Sequence, residues 1–284
     1  MCDTWTCSFT VSRVLKLTVD FPVNSDMLRQ LPLERVVTHE RVDSTNSEAL
    51  RLLRQGQICP FLVLASQQTE GRGRRGRRWE SPPGAGLYYS LTLEVPWGMQ
   101  NIAALSPITA LSVCSALEKL GVNKLELKWP NDVLGDARKL SGILLESLKI
   151  EDCLFIVIGV GVNLNLPGAT KCVIGQPVTD VKELLGSDFD VDRLAAGITA
   201  QLLANISCFG ENGFSEFVAD WNDRDAYLGK QVRVRLNGSV IQGEVQGVNA
   251  LGELKLRTES GDQVIRMGEI MPSVRLIASD ELMR

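Results

Sequence analysis

Apolar and β-branched runs, bounded by Gly, Pro or Asn, recur from residue 34 to about 228 and alternate with segments of helical period. They predict strands over 60–68, 87–95, 124–129, 139–149 and 153–165. The clearest helix spans 107–120. Ser106 is placed to cap it, Pro107 suits its first turn, and Ile108, Leu111, Ser115 and Leu117 share a face before Gly121 stops it. A second helix begins near Asn46 and ends at Gly56, and others cover 191–208 and 213–221. Strands outnumber crossovers of βαβ length, which points to an α+β fold, a mixed β-sheet flanked by helices, over a doubly wound one.

The pattern changes after Leu228. Short alternating segments at 231–236, 240–248, 253–258 and 264–267 are separated by Asn237-Gly238, Leu251-Gly252 and Gly261-Asp262. Asn-Gly between alternating runs is a strong hairpin signal, so this tail reads as a small β-barrel that leans on the larger unit. The expected organisation is an N-terminal extension over 1–33, a catalytic domain over 34–228 and a barrel over 229–284. Within the extension, a short strand is expected at 14–19 and a helical piece at 24–30.

Charge and cysteine usage then remove function classes. A net charge of -4 and a pI near 5.3 give no global attraction to DNA or to anionic membranes, so nucleotide contact needs a local basic patch. The longest apolar run, 153–162, is about half the ~20 residues of a membrane-spanning helix and reads as a buried strand. The chain begins with no basic, then apolar, block of a secretory signal, so a cytoplasmic protein is expected. Its 7 cysteines include no Cys-x-x-Cys pair, which fits free thiols. His39 is the only histidine, which leaves no multi-histidine metal centre.

Four segments carry chemistry. Residues 71–79, Gly-Arg-Gly-Arg-Arg-Gly-Arg-Arg-Trp, concentrate positive charge among small residues. Such a loop should repel itself when free and close on phosphate or carboxylate. Ser44-Thr45-Asn46 precedes a helix. Thr45 and Glu48 have the spacing of a capping box, and the same residues offer polar groups to a neutral head group. Lys128-Trp129-Pro130-Asn131-Asp132 ends one strand and Lys139-Leu140-Ser141-Gly142-Ile143-Leu144 lies in the next. These charges are equally compatible with a surface ion pair. Gly159-Val160-Gly161-Val162-Asn163 allows a close-packed strand or a backbone approach to a nucleotide.

In order and relative spacing these segments resemble the motif set of the biotin-protein ligases, in a form without the N-terminal DNA-binding domain, across residues 34–284. The resemblance implies a catalytic domain related to class II aminoacyl-tRNA synthetases, followed by a small SH3-like barrel. It implies that biotin and ATP, with Mg, give biotinyl-5'-AMP, and that a lysine of a biotin carboxyl carrier domain accepts the acyl group. No permanently bound cofactor is implied, and a homodimer is left open. The resemblance places Ser44, Thr45, Asn46, Gln68, Arg72, Arg74, Lys139 and Gly142 at biotin. It places Arg72, Arg74, Arg77, Trp79, Asn131, Lys139 and Asn163 at the nucleotide. Arg74, Lys139 and Asp132 are the catalytic candidates, with Asp132 also near the metal. From Asn163 to Gly186 the chain lacks the aromatic with which many relatives cover adenine. A lipoate-type ligase and a non-catalytic biotin-sensing regulator are the alternatives. The polar Ser-Thr-Asn cap suits a ureido ring better than a dithiolane, and the full set of charged residues favours catalysis.

Overall fold

The computed structural model describes residues 26–95, 101–236, 239–266 and 273–276. Its larger sheet contains β1 (Arg35–Val42), β2 (Phe61–Gln68), β3 (Gly86–Val95), β4 (Leu125–Lys128), β5 (Asp132–Gly135), β6 (Arg138–Ile150) and β7 (Cys153–Asn163). The strand order is β1-β2-β3-β7-β6-β5-β4. Only β1 and β2 are parallel and the other pairings are antiparallel, so the sheet is mixed. Helices α1 (Thr45–Arg54), α2 (Leu105–Lys119), α3 (Gly168–Val173), α4 (Val181–Leu185), α5 (Val191–Asn212) and α6 (Val218–Arg224) complete this unit. A second, antiparallel sheet is formed by β8 (Gln231–Leu236), β9 (Ser239–Val248), β10 (Leu254–Thr258), β11 (Gly261–Ile265) and β12 (Ser273–Leu276), in the order β11-β10-β9-β8-β12.

Both faces of the large sheet are covered, which explains its nearly continuous apolar strands. Leu62 and Leu64 of β2 join the main core with α2 and α5, while Phe61 and Val63 pack with Ala49 and Leu53 of α1. The segment Ile102–Lys119 has the length and hydropathy of a membrane-crossing helix, yet 72% of it is buried inside the fold. It is a core helix wedged against α5. All five cysteines among the described residues are free.

Two local expectations are corrected. Ser106 does not cap α2, because that helix begins at Leu105, and the Ser106 hydroxyl donates to Pro130 O at 3.2 Å instead. Thr45 and Glu48 do not form a capping box. Thr45 N–H donates to Gln68 Oε1 at 2.9 Å, and Glu48 pairs with Arg51 at 2.7 Å, so tertiary partners outcompete the local cap. The described part of the expected helical piece at 24–30 is a single 3-10 turn, Leu28–Gln30. The strand expected at 14–19 and the Asn237-Gly238 turn lie outside the described residues.

The second sheet is seated on the first unit through specific contacts. Trp129 Nε1 donates to Gly252 O at 3.1 Å, and Val248 N–H donates to Asn222 Oδ1 at 3.0 Å. Gly252, at φ +74, lies against the Phe214 ring, where a Cβ would sit 3.4 Å from three ring carbons. These contacts hold the strand end that carries Trp129 and Asp132.

Candidate active site

Helix α1 packs on β2, β3 and β7 but leaves part of the same sheet face open. There a cleft of about 840 Å³ forms. Strand register explains its floor. Lys128 pairs with Asp132, Asp132 with Gly142 and Gly142 with Gly161, so one row of same-face positions crosses β4, β5, β6 and β7. Two residues along, Leu144, Gly159 and Ser90 form the next row. The two charged positions of the first row meet two glycines, and those glycines make a shelf.

Trp79 lies on that shelf. A Cβ on Gly161 would come within 2.5–2.8 Å of its indole, and one on Gly142 would lie 2.9 Å from it. Lys139 Nζ sits 5.4 Å from the indole centroid and 2.7 Å from Asp132 Oδ1. Packing against the ring and pairing with the carboxylate fix the lysine at the middle of the cleft. Its backbone is held as firmly, since Lys139 N–H donates to Pro177 O and Thr179 N–H donates to Lys139 O, each at 3.0 Å.

The second row belongs to an uncharged end. Asn46 lies over Gly159, where any side chain would collide with its amide. Ser90 Oγ lies 2.6 Å from Asn46 Oδ1 and 2.8 Å from Thr45 Oγ1, and Gln68 Nε2 donates to Ser81 Oγ at 3.0 Å. Every one of these residues is uncharged and buried or half-buried, and the one charge that touches them is Glu146, 2.8 Å from Asn46 Nδ2.

The arginine-glycine segment folds as a tight hairpin. Gly73 N–H donates to Arg77 O at 2.7 Å and Trp79 N–H donates to Gly71 O at 2.9 Å. Arg75 (φ 60) and Gly76 (φ 71) turn the tip through left-handed backbone. Counter-charges disperse the repulsion. Arg72 makes a bidentate pair with Glu146 at 3.0 and 2.7 Å, and Arg78 pairs with Glu80 at 3.3 Å. Arg74 turns inward, donating to Asn131 Oδ1 at 3.2 Å. Burial lowers its pKa, partly offset by Asp132 and reinforced by Arg75. A half-buried guanidinium in such a place favours an anionic partner.

With neutral polar groups at one end, cations at the centre and a mobile-looking sequence folded over both, the cleft has the composition of an adenylating site, and comparison with known proteins agrees. Residues 38–163 match the biotin/lipoate A/B protein ligase family, and residues 227–271 match the biotin protein ligase C terminal domain. The biotin--[acetyl-CoA-carboxylase] ligase of Paracoccus denitrificans is 36% identical over 81% of this chain and 97% of its own length. The chain belongs to this family. The bifunctional ligase/repressor BirA of Escherichia coli is 32% identical over 82% of this chain and 72% of its own length. Among solved structures, the biotin protein ligase from Aquifex aeolicus in complex with biotin and ATP has a TM-score of 0.74 and 31% identity, covering 86% of this chain and all of that one.

Of the family positions expected from sequence, Ser44, Thr45, Asn46, Gln68, Arg72, Arg74, Arg77, Trp79, Asn131, Asp132, Lys139 and Gly142 line the one cleft. Asn163 does not. It is 4% exposed and donates its side-chain amide to Lys139 O at 3.3 Å and Thr179 O at 3.0 Å. That placement has it hold the Lys139 backbone. The glycines before it serve as close-packing positions, under Asn46 and under Trp79.

Sequence reasoning missed Glu146, Ser90, Tyr227 and the 173–177 wall. Glu146 was accessible from β6 alternation, because Gly142, Leu144 and Glu146 share a face. Ser90 was a lone polar residue inside an apolar strand. Tyr227 enters the cleft from the segment joining the two sheets, with Lys128 Nζ 5.8 Å from its ring centroid, and nothing local announces that.

Proposed function

We propose that this chain is a biotin-protein ligase, which joins biotin to ATP as biotinyl-5'-AMP and passes the biotinyl group to a lysine of a biotin carboxyl carrier domain. The observation that carries this reading is the juxtaposition, in one cleft, of an uncharged hydrogen-bonding end with the Arg74, Lys139 and Asp132 centre. Biotin has the matching form, a neutral ureido ring at one end and a carboxylate at the other.

In the first step a biotin carboxylate oxygen bonds to the α-phosphorus while the bond from that phosphorus to the pyrophosphate oxygen breaks. Negative charges are brought together, and Arg74 and Lys139 offset them in a partly water-excluded site. The incoming phosphate competes with Asp132 for Lys139, which releases the carboxylate for the second step. There the acceptor amine attacks the acyl carbon, AMP leaves, and the amine loses a proton. Asp132 orients that amine or accepts the proton. Alignment supplies much of the rest.

Magnesium enters as part of the MgATP substrate. Among the described residues there is no cluster of three or more His, Cys, Asp or Glu, so protein groups alone provide no cage, and Asp132, paired with Lys139 at 2.7 Å, would share a magnesium only with the phosphates that bring it. No step here is routed through a metal held by Asp132. The proposed division places the catalytic unit before Leu228 and the barrel after it, and the acidic balance supports a cytoplasmic enzyme without a DNA partner.

Intact-mass measurement of a carrier domain incubated with this protein, MgATP and either biotin or lipoate tests the reading. Addition of one biotinyl group to one lysine is expected. An unchanged mass with biotin and an increase with lipoate overturns it.

A further inference from the structure

Resting on that reading, we infer that Glu146 sets the polarity of the neutral end of the cleft. It holds Asn46 so that Thr45 and Asn46 present ligand with lone pairs only, and thereby favours a head group that carries N–H donors.

The argument is a proton count. Glu146, as a carboxylate, can only accept. Its Oε2 lies 2.8 Å from Asn46 Nδ2, so that face of the amide is the NH₂. The second Nδ2 hydrogen goes to Leu144 O at 3.3 Å, and the donors of Asn46 are then used up. Asn46 Oδ1 lies 2.6 Å from Ser90 Oγ, and only the serine has a hydrogen to place between them. Thr45 Oγ1 lies 2.8 Å from Ser90 Oγ and has its own hydrogen on Gln68 Oε1 at 3.2 Å, which also accepts the Thr45 backbone N–H at 2.9 Å.

Thr45 therefore spends its hydrogen on Gln68, Ser90 directs its own to Asn46 Oδ1, and the Asn46 amide spends both of its hydrogens on Leu144 O and Glu146. What remains for a ligand on Thr45 and Asn46 is lone pairs. A ureido ring supplies two N–H groups to such a wall, whereas a dithiolane supplies none. Arg72 reinforces the arrangement by gripping both Glu146 oxygens at 3.0 and 2.7 Å, which keeps the carboxylate aimed. Glu146 is thus a positioning residue, acting on ligand through Asn46.

The test is binding of biotin and of N-methylbiotin, which lacks one ureido donor, measured by calorimetry without ATP. Wild-type protein should prefer biotin by about tenfold, the scale of one hydrogen bond in a partly buried site. In Glu146→Ala the preference should fall towards one through weaker biotin binding. Glu146→Gln, nearly isosteric, should fall between. A merely structural role would weaken both ligands equally and keep the ratio. An unaltered ratio in both variants overturns the role of Glu146 while leaving the ligase reading standing. Binding of lipoate in place of biotin by wild-type protein overturns both.

Discussion

The two ends of the cleft are built on adjacent rows of one sheet, yet they are stabilised differently. At the neutral end, Thr45, Asn46, Ser90 and Gln68 sit on helix and strand, and their hydrogen bonds close on one another. At the charged end, Arg74 comes from a hairpin tip, Lys139 from the start of β6 and Asp132 from the strand end after Pro130. Their contacts are an ion pair and a single amide contact, which a phosphate can replace. The lesson is one of preorganisation. The neutral end is finished before ligand arrives, whereas the charged end is held in balance by groups that exchange partners during the reaction.

The largest effect should come from removing the central cation. Lys139→Ala is expected to slow pyrophosphate release by roughly a hundred- to a thousandfold, the cost of deleting one preorganised charge partner. Biotin affinity without ATP should fall by much less than that, because the neutral end keeps its hydrogen-bond network while only a carboxylate partner is lost. Pyrophosphate release at the wild-type rate would show that Lys139 does not serve the adenylation step.

Solution pH separates the ends in another way. Asp225 underlies Tyr227 at the charged end, accepting its backbone N–H at 2.9 Å, and burial lifts its pKa from 3.8 to about 6 despite Tyr227, Trp221 and Lys230. The raised folded value means that the native state binds this proton more tightly than the unfolded chain. Its ionised form therefore costs stability above pH 6, and the cost is relieved as pH falls from about 6 towards 3.8, by about 3 kcal/mol in full. Asp43 acts in the opposite sense only at lower pH, since Arg51 holds it at about 2. Between pH 7 and 5 the Tm should rise in wild type and flatten in Asp225→Asn. Equal slopes in the two proteins would remove Asp225 as the cause.

Arg74→Gly should come next. Loss of a charge-assisted contact worth about 1.5 to 3 kcal/mol corresponds to roughly ten- to hundredfold faster escape of the adenylate, and added glycine freedom loosens the hairpin further. Adenylation should persist in part, because Lys139 remains. The observable is biotin attached to unrelated proteins, with pyrophosphate production only partly reduced. Complete loss of adenylation, or adenylate retained as tightly as in wild type, would assign Arg74 elsewhere.

This contrast also explains what the sequence could reveal. Strands β2, β3 and β7 were legible because burial on both faces demands continuous apolar runs, and β6 because its apolar positions recur among polar ones. Strand β1, Arg35-Val-Val-Thr-His-Glu-Arg-Val42, was missed since it is an edge with mostly half-exposed positions, and β5 was missed for its four-residue length. The charged end was visible as motifs, because it needs several charged residues close together. The neutral end was only half visible. Thr45 and Asn46 stood out, but Ser90 and Glu146 are 44 and 100 residues from Asn46, and only strand register joins them. Asn163 shares the β7 face of the cleft glycines, and its amide is turned to the Lys139 and Thr179 carbonyls, a partnership that sequence adjacency does not announce.

The smallest effects, and the sharpest division between the ends, should come from two glycines on one strand. Gly159 and Gly161 are on the same face of β7, two residues apart, and each leaves room for a different partner. A methyl group at 159 would press on Asn46, lying 2.9 Å from its Cγ and 3.0 Å from its Nδ2. Asn46 cannot retreat, because Ser90, Leu144 O and Glu146 hold both sides of its amide. A methyl group at 161 would meet the Trp79 indole, and the ring supports Lys139. Overpacking of this kind costs about 1 to 3 kcal/mol, and the lower half of that range is about tenfold in binding. Gly159→Ala should therefore weaken biotin by about that factor while sparing the KM for ATP, and Gly161→Ala should do the reverse. If both substitutions moved the same constant, the rows would be one site with shared strain, and the separation of a finished neutral end from an adjustable charged end would fail.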